Sequence, residues 1–322
     1  MEEERKPWLQ YSTSKALKNH SISDPTEFYS IRNPNLGALK LRTIQHGWYL
    51  LEHMSHDVSK PFLWNPHNPK KFNLPPLKHN GTKFGNCILT SPPTTNDETC
   101  SIYLFSSHSL SMFYYQLGDK QWTKVCFYNE IVRLRPFHFH PFDESRASFD
   151  NPVYFNGCLY AGIRTTDTSL FILALIEKLQ TNGFKINCTP YHMFKRRPTS
   201  SFEQYTTHLL GSNNVLFLIQ IFHSKDKVTA VFVYKFSHDR NRMLEKVDSI
   251  KDRMFFISSL DPAFACQTIN PETEGGRIYI ARKNCNFVYI YNIEDKSLVI
   301  SQPLSNLPKK RSYLRWFLPD TG

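Results

Sequence analysis

Gly157-Cys158-Leu159-Tyr160-Ala161 recurs as Gly276-Arg277-Ile278-Tyr279-Ile280-Ala281. After each copy comes a short polar loop and a second apolar run: Leu170-Phe171-Ile172-Leu173-Ala174-Leu175 after the first, Phe287-Val288-Tyr289-Ile290-Tyr291 after the second. A glycine, an apolar stretch, a turn and another apolar stretch read as two neighbouring antiparallel strands. Recurrence of that unit along the chain is the mark of a repeat architecture.

Three more copies align with these two. They are Trp48-Tyr49-Leu50-Leu51 with Phe62-Leu63-Trp64, Ile102-Tyr103-Leu104-Phe105 with Met112-Phe113-Tyr114-Tyr115, and Val215-Leu216-Phe217-Leu218-Ile219 with Ala230-Val231-Phe232-Val233-Tyr234. Aromatic residues align at Tyr49, Tyr103, Tyr160, Phe217 and Tyr279, at intervals of roughly 55–60 residues, a little above the ~50 of kelch-type blades. A turn and a polar strand candidate follow some cores, as in Gly118-Asp119-Lys120-Gln121-Trp122-Thr123-Lys124-Val125 and Glu294-Asp295-Lys296-Ser297-Leu298-Val299-Ile300. Gly tolerates positive φ, and Asp can bond its own backbone, so Gly-Asp and Asp-Lys turn readily.

Each unit therefore predicts a four-stranded blade with an inner strand, two buried middle strands and a polar outer strand. A lone blade has two sticky faces. A closed ring buries both and leaves only short edges. The expected fold is all-β, a single β-propeller of five or six kelch-like four-stranded blades over residues 23–322. Residues 1–22 are expected to be an N-terminal extension, irregular or with a short helix near Thr13 to Lys18. Phe28-Tyr29-Ser30-Ile31 or Ala38-Leu39-Lys40-Leu41 is expected to complete the last blade. The alternatives are a β-sandwich or two all-β domains, but no Pro/Gly/Ser-rich linker divides the chain.

Composition agrees with this reading. The chain has 322 residues, 40% of them hydrophobic and 14% aromatic, enough for a large core rich in strand-favouring side chains. No run approaches the roughly 18 apolar residues of a membrane helix, and no apolar segment follows Met1-Glu2-Glu3-Glu4-Arg5-Lys6 as a secretory signal requires. The seven cysteines form no Cys-x-x-Cys pair and read as reduced thiols of a cytoplasmic or nuclear protein. The sequons at Asn19, Asn80 and Asn187 would then stay unmodified. The net charge of +11 is diffuse. Its only clusters, Lys195-Arg196-Arg197 and Lys309-Lys310-Arg311, read first as solvated loops and second as nuclear-import signals.

Further motifs occur in a telling order: Pro7-Trp8-Leu9, Gly47-Trp48, Leu63-Trp64-Asn65-Pro66, Leu74-Pro75-Pro76-Leu77, Ile88-Leu89-Thr90-Ser91-Pro92, Val288-Tyr289-Ile290-Tyr291-Asn292-Ile293-Glu294-Asp295 and Trp316-Phe317-Leu318-Pro319. Asn65-Pro66 and Pro75-Pro76 stop strands, because Pro lacks a ladder donor and restricts its predecessor. Trp48, Trp64, Trp122 and Trp316 read as wedges between blades. In this order the motifs resemble the plant F-box-associated β-propeller family of the KIB type, over nearly the whole chain. The resemblance implies a substrate-recognition propeller that presents a regulatory protein, such as a kinase, for ubiquitination. Members of the family usually carry an F-box, which docks on the Skp1 adaptor, ahead of the propeller. Only six residues precede Pro7 here, so the expectation is a binding or regulatory scaffold that does not engage the adaptor directly.

Catalytic signatures are missing. The chain has no Gly-x-Ser-x-Gly elbow, no phosphate loop and no Gly-x-Gly-x-x-Gly turn, and Asp261 and Glu272 lie in a loop-like stretch with nothing to pair them. In Pro136-Phe137-His138-Phe139-His140-Pro141 an extended backbone would put His138 and His140 on one face, with Asp143 or Glu144 as a third metal ligand. The preferred reading is a proline-bounded loop with aromatics packed below. The sequence thus predicts no catalysis, metal, cofactor, membrane or nucleic-acid partner, and a protein partner contacted through Lys195, Arg196, Arg197, Phe137 and Phe139. Two alternative functions are an enzyme with carboxylates converging on the central channel and a nucleic-acid binder driven by the positive charge.

Overall fold

The computed structural model describes residues 7–12, 16–21, 28–32, 39–54, 57–66, 71–93, 100–133, 147–164, 170–179, 183–192, 203–225, 227–236, 244–250, 252–259, 261–268, 275–282, 285–303 and 314–318. These form six sheets, the blades of one propeller. The closing blade has the order β26-β1-β2-β3, with β1 (Trp8–Ser12), β2 (Ala16–Ser21) and β3 (Phe28–Arg32) from the start of the chain and β26 (Arg315–Phe317) from its end. The second blade runs from β4 (Leu39–Gln45) through β5 (Trp48–Met54) and β6 (Val58–Trp64) to β7 (Lys71–Asn73), with β8 (Leu77–Lys78) also paired to β6. The third comprises β9 (Phe84–Leu89), β10 (Ser101–Ser106), β11 (Ser111–Gln116) and β12 (Thr123–Cys126), followed by α1 (Tyr128–Arg133), the one helix among the described residues.

The fourth blade is β13 (Ser148–Phe155), β14 (Cys158–Arg164), β15 (Leu170–Lys178) and β16 (Phe184–His192), and the fifth is β17 (Glu203–Ser212), β18 (Val215–Ser224), β19 (Lys227–Phe236) and β20 (Leu244–Lys246). The sixth departs from the four-stranded plan. Its order is β22-β21-β23-β24-β25, built from β21 (Arg253–Ser258), β22 (Phe264–Gln267), β23 (Arg277–Ala281), β24 (Val288–Asn292) and β25 (Leu298–Ile300). Here β21 pairs with β23 in parallel, because the chain detours through β22 before returning to the sheet.

All five aligned cores are the second and third strands of blades, or their counterparts in the sixth, and the predicted outer strands are found at β12 and β25. Alternation explains the packing. Successive strand residues point to opposite faces, so each middle strand feeds two seams. In β10, Ile102 and Leu104 pack toward the second blade, while Tyr103 and Phe105 pack toward the fourth. Six apolar clusters result, one per seam. Trp48 and Trp122 lie in the seam of the second and third blades, Trp64 in that of the closing and second blades, and Trp316 between the sixth and closing blades. These four are the wedges expected from the sequence.

Three expectations change. The aromatic alignment slips at Tyr49, which faces the preceding seam, whereas Tyr103, Tyr160, Phe217 and Tyr279 belong to the following one. Counted from the preceding glycine, Leu50 matches Tyr160, and a one-residue slip reverses the face. The helix expected near Thr13 to Lys18 is not formed in its described part, since Ala16, Leu17 and Lys18 open β2 and its neighbours Leu17 and Asn19 are buried. The described part of residues 1–22 is not an extension: β1 and β2 are the middle strands of the closing blade. Phe28–Ile31 supplies that blade's outer strand, and Leu39–Leu41 opens the next blade.

Two-residue turns join inner to second strands. His46-Gly47, Asn156-Gly157 and Asn213-Asn214 all have positive φ at both positions, the type I′ pattern whose twist matches that of the strands it connects.

Candidate functional site

These turns lie on one rim of the ring, around the mouth of the central channel. The mouth is a cavity of about 340 Å³ to which each blade contributes: Ile44 and Gln45 at the end of β4, Leu89 and Thr90 at β9, Val153 and Tyr154 at β13, Gly211 on β17, Phe264 and Ala265 on β22, and Leu318 just beyond β26. Its polar groups are Gln45, His46, Thr90 and Tyr154, and no Asp or Glu lines it among the described residues.

Side chains on this rim join inner strands that lack a shared backbone ladder. The Gln45 amide donates to the Cys87 carbonyl (2.9 Å) and accepts from the Leu89 N–H (3.2 Å), in imitation of a β-bridge between β4 and β9. The His46 ring lies 3.1 Å from the Leu89 carbonyl. Between the fourth and fifth blades, the Asn151 amide donates to the Thr207 carbonyl and the Asn156 amide to Asn214 Oδ1 at 3.2 Å. These contacts tie neighbouring inner strands together at the rim.

Under the mouth lies a buried charge cluster. Arg42, the extra residue of a bulge between Leu41 and Thr43, pairs with Glu52 on β5 and sets its guanidinium 5.1 Å from the Phe84 ring centre. Arg315 pairs with Asp261 at 2.7 Å and donates to the carbonyls of Leu41 (3.2 Å) and Arg42 (3.4 Å). Burial pushes the Asp261 carboxyl above its ordinary range, while Arg315, the Ile44 N–H and the Thr43 hydroxyl pull it back. The cluster is balanced, with two cations and two anions. Asp261, which the sequence left unpaired, thus has a partner 54 residues away.

The other expected site residues fall elsewhere. Phe137, His138, Phe139, His140, Asp143, Glu144, Lys195, Arg196, Arg197, Glu272 and Lys309 to Arg311 lie outside the described residues. Among the described residues no group of three or more His, Cys, Asp or Glu is arranged to hold a metal, and no helix is long and apolar enough to cross a membrane. Sequence reasoning missed Gln45, His46, Arg42, Glu52, Asn151 and Arg315. The one available signal was a polar residue within an apolar strand pattern, as at Glu52 after Trp48-Tyr49-Leu50-Leu51.

A family model described as the KIB1-4 beta-propeller matches residues 19–301. No curated protein matches the chain. Among solved structures, the chain is similar to a protein from Lactobacillus plantarum (10% identity, 97% of this chain and 99% of that one, TM-score 0.47). It is also similar to a putative 6-phosphogluconolactonase from Bacteroides fragilis (12% identity, 98% and 99%, TM-score 0.44) and to the lectin of Aleuria aurantia (9% identity, 99% and 96%, TM-score 0.36). At these identities and scores, the roles of those proteins carry no argument for this chain.

Proposed function

This chain belongs to the KIB1-4 β-propeller family, and from that membership we propose that it is a protein-binding scaffold whose partner docks on the rim around the channel mouth. The observation that carries the reading is the composition of that mouth. It combines apolar side chains with Gln45, His46, Thr90 and Tyr154 and lacks a carboxylate among the described lining residues. Acid–base chemistry in a channel needs convergent titratable groups. A mixed apolar and polar surface on a rigid scaffold suits protein docking. Some surface charges of the fifth blade are paired, as in Lys235 with Glu245 and Lys246 with Asp248. The family resemblance supports a regulatory protein as partner, a kinase being the example it suggests, in substrate recognition for ubiquitination.

The test is affinity capture from plant extract with cross-linking, comparing the native chain with Pro262→Glu/Leu318→Glu, two residues that line the mouth, and with Lys124→Ala on the outer strand of the third blade. Loss of the captured protein in the first variant alone supports docking at the mouth. Retention in both variants, or loss in the outer-strand variant alone, removes it.

A further inference from the structure

A second cavity, of about 390 Å³, opens on the same rim at the seam of the third and fourth blades, where Lys178, Gln116, Ser101, Tyr103 and Tyr154 line it. We propose that it binds a small hydroxylated oxyanion, a sugar phosphate or sugar acid. This inference does not rest on the protein partner proposed above, although Thr90 and Tyr154 line both cavities. The volume lies within the range of small-molecule sites.

The chemistry of the lining sets the ligand class. The Lys178 ammonium donates to the Tyr114 hydroxyl (2.5 Å) and to Gln116 Oε1 and sits 4.6 Å from the Tyr114 ring centre. Lysine has three N–H donors, so one remains for a ligand. Lys178 has no carboxylate partner among the described residues. Glu177, its neighbour, points to the opposite face and accepts from the Asn187 amide (3.1 Å), while Asp119 accepts from the Gln116 backbone N–H (3.0 Å). The Lys178 ammonium is exposed at the edge of the pocket, held in place by Tyr114 and Gln116 and open to an incoming anion.

Hydroxyls line the pocket beside that cation. The Tyr114 hydroxyl donates to Gln116 Oε1 (2.8 Å) and lies 3.3 Å from Ser101 Oγ. Burial, with Tyr114 and Tyr154 nearby, drives the Tyr103 phenol far above its ordinary value, so it stays a neutral donor. These groups match the hydroxyls of a polyol, and the phosphate or carboxylate meets Lys178. Leu159 and Ile176 add an apolar wall for the carbon skeleton. Most of the side chains stand on paired strands, namely β10, β11, β14 and β15, so the site is preformed rather than assembled by loops.

The experiment titrates the full chain with glucose 6-phosphate, glucuronate and uncharged glucose, read by calorimetry and by the amide resonances of Ser101, Gln116 and Lys178. Saturable binding of either anion at those resonances, with glucose much weaker, is expected. Lys178→Met should weaken anion binding roughly tenfold or more, as loss of a charge-assisted contact does, and Tyr114→Phe should weaken it less. Lys185→Met, on β16 across from Glu177, should leave it unchanged. If neither anion binds, if glucose binds as well as the anions, or if a folded Lys178→Met or Lys178→Gln chain binds as tightly as the native one, the proposal is overturned.

Discussion

Arg315 Nη1 stands 2.7 Å from Asp261 Oδ1, and this pair joins three blades at the point where the ring closes. Asp261 sits between β21 and β22 of the sixth blade, Arg315 belongs to β26 of the closing blade, and both reach the backbone of β4 in the second. A propeller must hold its first and last blades together against the entropy of an open ring. Here the closing sheet does so with ladder bonds between β26 and β1, and the ion pair adds a fixed register.

Removing one partner should therefore cost more than removing both. Arg315→Met leaves a buried carboxylate without its counter-ion, which typically costs about 3–5 kcal/mol. Arg315→Met/Asp261→Asn should recover part of that loss, giving a coupling above roughly 1 kcal/mol in a denaturant-melt cycle. Additive losses would show that the pair does not act as a unit.

Acid should destabilise the fold through His208. This residue is buried on β17, and burial pushes its imidazole from 6.5 down to about 4. The unfolded chain then binds the proton more readily than the folded one, so stability is complete above the unfolded value and falls as pH drops through the window from 6.5 to about 4. The loss reaches about 3 kcal/mol at the bottom of that window. Denaturant midpoints measured across the window should flatten in His208→Gln; an unchanged slope would assign the effect to other groups.

Two glycine-to-alanine changes should separate strain from crowding. Gly157 has φ +77° with open space where a Cβ would go, so Gly157→Ala costs only the conformational term, about 1 kcal/mol. At Gly211 a Cβ would come within 2.1 Å of the Phe155 ring and 2.8 Å of its Cβ. The ring cannot swing clear of both, so Gly211→Ala should cost more, roughly 1–3 kcal/mol as overpacking does. Thermal melts of the two variants should rank in that order.

Alkylation at neutral pH should mark Cys126 first. All seven cysteines are free thiols; Cys126 is exposed on an outer strand, while Cys87, Cys100 and Cys285 are buried. Burial pushes the Cys188 and Cys266 thiols up to about 12, which suppresses their thiolates. Peptide mapping after brief iodoacetamide treatment checks the order, and early modification of Cys87 or Cys100 would contradict the packing of the seam between the second and third blades.

Burial also separates the sequons in a way that no motif reveals. Asn19 is fully buried, with its Oδ1 taking the Gln10 amide at 2.5 Å, whereas Asn80 is exposed in a turn. The two share a sequence pattern and differ only in their tertiary setting.

The sequence by itself determined the five paired cores at the centre of five blades, the outer strands β12 and β25 and the wedge role of Trp48, Trp64, Trp122 and Trp316, because apolar alternation and turn chemistry act between residues a few positions apart. It did not determine the face on which Tyr49 lies, since a bare aromatic match cannot distinguish registers one residue apart. The tertiary structure alone decided how the ring closes, why Ala16 to Lys18 extend as strand, how Gln45 bridges two blades and that Asp261 has a counter-ion. Those partners lie as far as 217 and 274 residues apart. No local pattern specifies such pairs; they exist because packing six blades around one axis brings distant polar groups into a dry space where each must find a partner.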